Sequence, residues 1–236
     1  MCDAYKRFFR VIDVWDFGWD NELGTVSPWT LTQASLNYIK RYRRKRFIIH
    51  YLQPHAPYIS SKFRCVGFPR PKLSKGKVLV GIRGKNSRGF YERFSYMVAY
   101  FVVKLGLVSH PWLVLEKLGV PPVSPMDAVR RVYGVNGLRE AYRENLELVL
   151  RYVAVLVDNI LKMNPRASII ITADHGELLG EDGLYSHGID YPLVRIVPWF
   201  KVNAVKTVPK DAEKKVVELV LKERIKSVID KLRRSL

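Results

Sequence analysis

The sequence predicts an α/β protein with three layers, helices on both sides of a mostly parallel sheet. Three observations lead there. Short apolar, β-branched runs alternate with longer stretches of helical periodicity, and the runs are not followed by hairpin signals. Two of these runs, Arg46–Leu52 and Ser168–Thr172, read as strands separated by helices, the second of them buried. Helix starts and stops are marked where an alternating fold needs them.

The elements follow in order. Ser27-Pro28 and Thr30 read as a turn and helix N-cap before Leu31-Thr32-Gln33-Ala34, opening a helix over about Thr30 to Arg44. A strand over Arg46 to Leu52 leads into a Pro-rich loop around His55. Residues 60–90 form a long basic loop region with a short strand near Val78 to Ile82. Helices are expected over Tyr91 to Leu105 and His110 to Leu118. Ser124-Pro125-Met126-Asp127 is a helix start with Ser as N-cap, Pro at the first helical position and an acid in the first turn. The next helix, Leu138 to Leu161, carries apolar residues at positions 138, 142, 146, 149, 153, 156 and 160, so one face is buried. After Asn164-Pro165, a strand over Ser168 to Thr172 delivers the residues that follow it to a sheet edge. Residues 211–235 read as a basic amphipathic helix with one apolar stripe, Val216 to Leu232.

Length and composition suit one packed domain over residues 1–236, since 48% of the chain is hydrophobic. Two cysteines make no disulfide framework. The longest apolar helical stretch, Tyr96 to Val108, is interrupted by Lys104 and too short to span a bilayer. With no apolar leader at the start, a cytoplasmic location is expected. The net charge of +18 favours anionic partners, either phosphate-bearing ligands or a membrane surface. It gathers in Arg41, Arg43, Arg44, Lys45 and Arg46, in the 70–88 loop, and in the last helix. Nucleic acid is disfavoured, because no helix-turn-helix or zinc-finger signature accompanies the charge.

The chemistry concentrates between Ile169 and Gly188. An apolar strand ends in Asp174-His175, then Gly176, with a second histidine, His187, twelve residues after the first. A carboxylate and an imidazole delivered together at a strand end suit a divalent metal, zinc or manganese, with calcium and magnesium also open.

The run Asp174-His175-Gly176-Glu177, followed by Leu179-Gly180, Gly183-Leu184 and His187-Gly188, resembles the metal-binding signature of the alkaline phosphatase superfamily in its sulfatase-like branch. That branch includes arylsulfatases, phosphonate monoester hydrolases, lipoteichoic acid synthases and phosphoethanolamine transferases. Upstream, Phe47-Ile48-Ile49-His50-Tyr51-Leu52-Gln53-Pro54-His55-Ala56-Pro57-Tyr58 resembles the branch's strand and loop ending in Asp-Pro-His-x-Pro-Tyr, with Gln53 where Asp is common. The resemblance spans roughly residues 46–202. It implies an alkaline phosphatase-like sheet, amino-terminally incomplete, of which this chain reads as the carboxyl-terminal two thirds. A partner chain is then one source of the remainder.

It also implies roles. Asp174 and His175 bind the metal, and His55 and His187 act catalytically beside the phosphate or sulfate ester. Glu177 is an acceptor behind His175 that orients it. His50, inside the strand, is assigned a structural role, and His110 is assigned none. No nucleophile is identified: Cys2 and Cys65 lack the Cys-x-Pro-x-Arg context of a formylglycine, and Ser27 and Thr30 read as capping groups. Two functions stay open. One is a metal-dependent hydrolase or transferase of phosphate or sulfate esters. The other is a non-catalytic descendant that binds an anionic ligand or a protein partner through the same pocket.

Overall fold

The computed structural model describes residues 4–60, 62–64, 72–74, 77–79 and 90–202. Two single-turn helices, α1 (Ala4–Arg7) and α2 (Trp15–Gly18), precede a small ladder of β1 (Trp19–Asp20) and β2 (Thr25–Val26). Helix α3 (Pro28–Arg41) follows at once, with Ser27 as its N-cap accepting from the Thr30 amide and Pro28 in the first turn. Strands β3 (Lys72–Ser74) and β4 (Lys77–Leu79) form a hairpin. Helices α4 (Phe90–Lys104) and α5 (Pro111–Lys117) pack together around buried Ala99, Val114, Leu115 and Val120.

The longest element is α6, Pro125–Met163, started by Ser124 as predicted. It joins the two expected helices end to end and kinks at Gly134 (φ 68°, ψ −172°), a left-handed conformation that costs glycine little. Beyond it come β5 (Ile169–Thr172), β6 (Leu178–Leu179), a 3₁₀ turn (Glu181–Gly183), β7 (Tyr185–Ser186), α7 (Pro192–Arg195) and β8 (Trp199–Val202).

The expected three-layer αβα fold with a mostly parallel sheet is not what the chain forms. Among the described residues the sheets are two-stranded and antiparallel: β1 with β2, β3 with β4, β5 with β8 and β6 with β7. The segment over Arg46 to Leu52 forms no strand and belongs to no ladder, and β5 alternates between half-buried and exposed positions. Apolar β-branched runs show that a segment favours extended backbone; they do not show which partner it finds. Here β5 pairs with β8, Ile169 opposite Val202 and Thr172 opposite Trp199, so Ile170, Trp199 and Phe200 stay exposed. A parallel sheet needs helices over both faces. The long helix α6 instead turns its buried side toward α3 and the His55 loop, with Trp29 against Tyr152 at 6.2 Å between ring centroids and Asn145 bonded into the loop.

The main core lies under that loop. Tyr58 and Phe63 meet Met126, Val129, Leu138 and Ala141 of α6 and Tyr185 of β7. Leu138 and Leu178 are fully buried, and each such side chain contributes about 1.5–3 kcal/mol relative to exposure. At the start of α6, Asp127 is buried between Arg130 and Arg131, at 2.8 and 2.9 Å, and also accepts from the Val123 amide. No helix among the described residues is long and apolar enough to cross a membrane. The cluster Arg41 to Arg46 is described and its charged side chains are exposed. Most of the 70–88 loop and the helix expected over 211–235 lie outside the described residues.

Candidate metal centre

Two segments bring the site together. The first is the loop after Tyr51, pinned from three sides. Tyr51 and the α3 Thr32 hydroxyl are 2.7 Å apart, and buried Gln53 donates to Thr25 Oγ1 and the Val26 carbonyl at 3.4 Å each. Asn145 of α6 closes the third side. It is fully buried; its Oδ1 accepts from the Ile59 amide at 2.9 Å, and its Nδ2 faces the Pro54, His55 and Pro57 carbonyls at 3.2–3.4 Å. Both X–Pro bonds of this loop, Gln53–Pro54 and Ala56–Pro57, are cis. One amide thus takes up the Ile59 N–H and shares its two N–H groups among three carbonyls, which fixes where His55 projects.

The second segment is the hairpin of β6 and β7. Leu178 pairs with Ser186 and Leu179 with Tyr185, so Glu177 and His187, one step beyond the ladder, face each other. Their separation is 3.1 Å between His187 Nδ1 and Glu177 Oε1. Just before the hairpin, Gly176 lies so close to α7 that a Cβ there meets the Leu193 carbonyl oxygen at 2.0 Å; its own amide donates to the Val194 carbonyl at 2.8 Å. No other residue fits without moving that backbone.

The result is a triad of ligand atoms from His55, Glu177 and His187, all within 4.8 Å of one another. The Glu177 side chain is 4% exposed, and its Oε2 lies 3.9 Å from His55 Nε2. His55 Nδ1 lies 2.6 Å from the Ala56 carbonyl, which can only accept, so Nδ1 is the donor of that contact and Nε2 is the ring nitrogen turned toward Glu177. Two imidazoles and a carboxylate are a donor set that fits zinc, and fits manganese less closely.

Asp174 and His175 adjoin this triad. The His175 and His187 rings lie tilted by 30° against each other with centroids 4.1 Å apart. His175 Nδ1 lies 2.9 Å from the Gly176 carbonyl, leaving Nε2 free, 3.7 Å from Asp174 Oδ2. All five residues singled out in the sequence, His55, Asp174, His175, Glu177 and His187, therefore fall in one place. Glu177 serves differently from the expectation: it faces His187 and His55, whereas the Nδ1 of His175 is oriented by a backbone carbonyl. Ser27 and Thr30 are capping groups of α3, their hydroxyls 2.9 Å apart.

Sequence reasoning missed Asn145, Tyr58 and Tyr142. Tyr58 is buried with no hydrogen-bond partner for its hydroxyl; burial, then the Glu177 carboxylate, pushes its pKa far above the usual phenol range. Burial and Glu177 raise Tyr142 in the same way, so both phenols stay neutral beside the carboxylate. Asn145 sits within the stripe of α6 that reads as apolar and shows itself only as a polar residue among buried ones. No family model matches the chain, and neither does any curated protein or solved structure.

Proposed function

We propose that this chain is a metal-dependent hydrolase or transferase of phosphate or sulfate esters, with its metal chemistry at His55, Asp174, His175, Glu177 and His187. The observation that carries this reading is the convergence of three ligand side chains from two segments more than a hundred residues apart, with the His175 ring against His187 and Asp174 next to it in the chain. A divalent ion at such a site supplies Lewis acidity toward the ester's non-bridging oxygens. Around it the side chains divide the work. Glu177, buried and anionic, holds the two imidazoles in register. His55, whose side chain is 46% exposed, is the histidine of the triad most open to an ester arriving from solvent. The exposed Arg41–Arg46 run precedes the His55 loop in the chain and favours an anionic substrate through its field.

A second reading has one observation in its favour. The two hydroxyls weighed as nucleophiles, Ser27 and Thr30, are occupied in capping α3. If neither another hydroxyl nor a metal-activated water takes their place, the site binds an ester without turning it over. One experiment separates the two. The full chain is titrated with Zn²⁺ and Mn²⁺, then assayed on p-nitrophenyl phosphate, bis-p-nitrophenyl phosphate and p-nitrophenyl sulfate. Metal binding weakened at least about tenfold by Asp174→Ala or His187→Ala, together with turnover, is the expected result. Metal binding without turnover on any ester favours the second reading. Absence of metal binding overturns both.

A further inference from the structure

Helix α4 uses only one of its faces inside the molecule. Ala99 is buried with Val114 and Leu115 of α5, and Ser95, one turn earlier, is buried on the same side. On the opposite side Phe90, Phe94, Met97 and Phe101 recur at helical spacing and are 48–87% exposed. Arg93, Tyr100 and Lys104, all exposed, run along one border of this apolar stripe. Glu92, the only acid of the helix, is half-buried and shares the inner side with Ala99, seven residues on. Beside the same border an apolar groove of about 480 Å³ opens, lined by Tyr96, Ala99, Tyr100, Val103 and Pro111, with Lys104 as its one charged residue. The Lys104 ammonium lies over the Tyr100 ring, 5.9 Å from its centroid.

We propose that the outer face of α4 lies in the surface of an anionic phospholipid membrane, its apolar stripe among the acyl chains and Arg93 and Lys104 against lipid phosphate. The helix is too short to cross a bilayer, and an aromatic stripe bordered by cations is the pattern of a helix that lies along one. Charge selects this occupant over the others. Between Glu22 and Glu92 the sequence holds fifteen Lys or Arg and no Asp or Glu, and that run ends on α4. A second copy packed stripe to stripe offers Arg93 and Lys104 no acid, because Glu92 is on the inner side. Residues 211–235, the other apolar stripe in the chain, carry eight Lys or Arg against five acids, so they too bring cations to cations. An anionic leaflet supplies the opposite sign and draws the whole basic chain toward it. The groove adds a match in kind, since an ammonium at the edge of an apolar slot suits a phosphate with an acyl chain below it.

The test floats the full chain with vesicles of phosphatidylcholine alone or with about 30% phosphatidylglycerol, at low salt and at about 0.5 M NaCl. Binding to the anionic vesicles, weakened by salt, is the expected result. The pairs Phe94→Ser/Phe101→Ser and Arg93→Gln/Lys104→Gln should each lower the partition coefficient at least about tenfold, with lipid-free melting midpoints unchanged. No flotation of the unsubstituted chain with anionic vesicles overturns the proposal, and so does flotation that the phenylalanine pair retains in full. Equal binding to phosphatidylcholine alone overturns the part given to Arg93 and Lys104. Two lipid-free results also overturn it. A dimer in sedimentation that the phenylalanine pair abolishes assigns the face to a second copy. A melting midpoint that the same pair lowers assigns it to another segment of this chain.

Discussion

Asn145 shows how much one side chain can decide. It is the only described side chain that reaches the Ile59 amide and the Pro54, His55 and Pro57 carbonyls together. Asn145→Ala strands those groups in a buried site, and the expected cost is about 2–4 kcal/mol in urea denaturation. Asn145→Asp keeps the acceptor for Ile59 but sets a carboxylate against three carbonyl oxygens, so it should be no more stable than the alanine variant. Gly176 is decided by space instead, since the Leu193 carbonyl occupies the volume a side chain needs. The Asp-His-Gly run stood out in the sequence as a candidate ligand pair; the reason for its glycine did not, because the backbone it meets is 17 residues further along.

Helices were more legible than strands, for a physical reason. Caps are local: Ser27 with Pro28 and Ser124 with Pro125 start α3 and α6 where the residues alone place them. Strand pairing is not local, and β5 finds β8 instead of a parallel neighbour. Helix α5 adds a cap that carries a proton switch. His110 accepts the Trp112 amide at its Nδ1 and is buried beside Trp112 and Tyr185. Burial lowers its pKa from the usual 6.5, partly offset by a backbone hydrogen bond with Tyr185. Above 6.5 the ring is neutral in both folded and unfolded chains. As pH falls through 6.5, the unfolded chain takes up a proton that the folded one resists, so stability falls until the lowered folded pKa is passed. His110→Asn keeps a side-chain cap and removes the titration. Chemical denaturation at about pH 7.5 and about 5.5 should show a larger loss for the wild-type chain than for this variant.

At the scale of the whole molecule, the expected parallel sheet gives way to small antiparallel ladders, whereas the five residues singled out in the sequence lie near one another. The site depends on one loop, one hairpin and the face of α6 between them, not on a sheet. Composition and periodicity report how much core there is and which helical faces it covers. They are silent on whether two apolar runs become neighbours, and that is what separates a layered sheet from the small ladders found. His55 and His187 stand 132 positions apart in sequence, yet their rings lie 5.1 Å apart. Any ion gripped by both is a reversible cross-link that closes one of the longest loops the chain can make. Because the unfolded chain holds those two residues far apart, the ion binds the folded chain alone, and its binding free energy adds to the free energy of folding. The melting midpoint should therefore rise with zinc concentration and fall on adding a chelator, by an amount equivalent to about 4 kcal/mol at a thousandfold excess over the dissociation constant. The dependence should vanish in His55→Ala, although that residue touches little of the core.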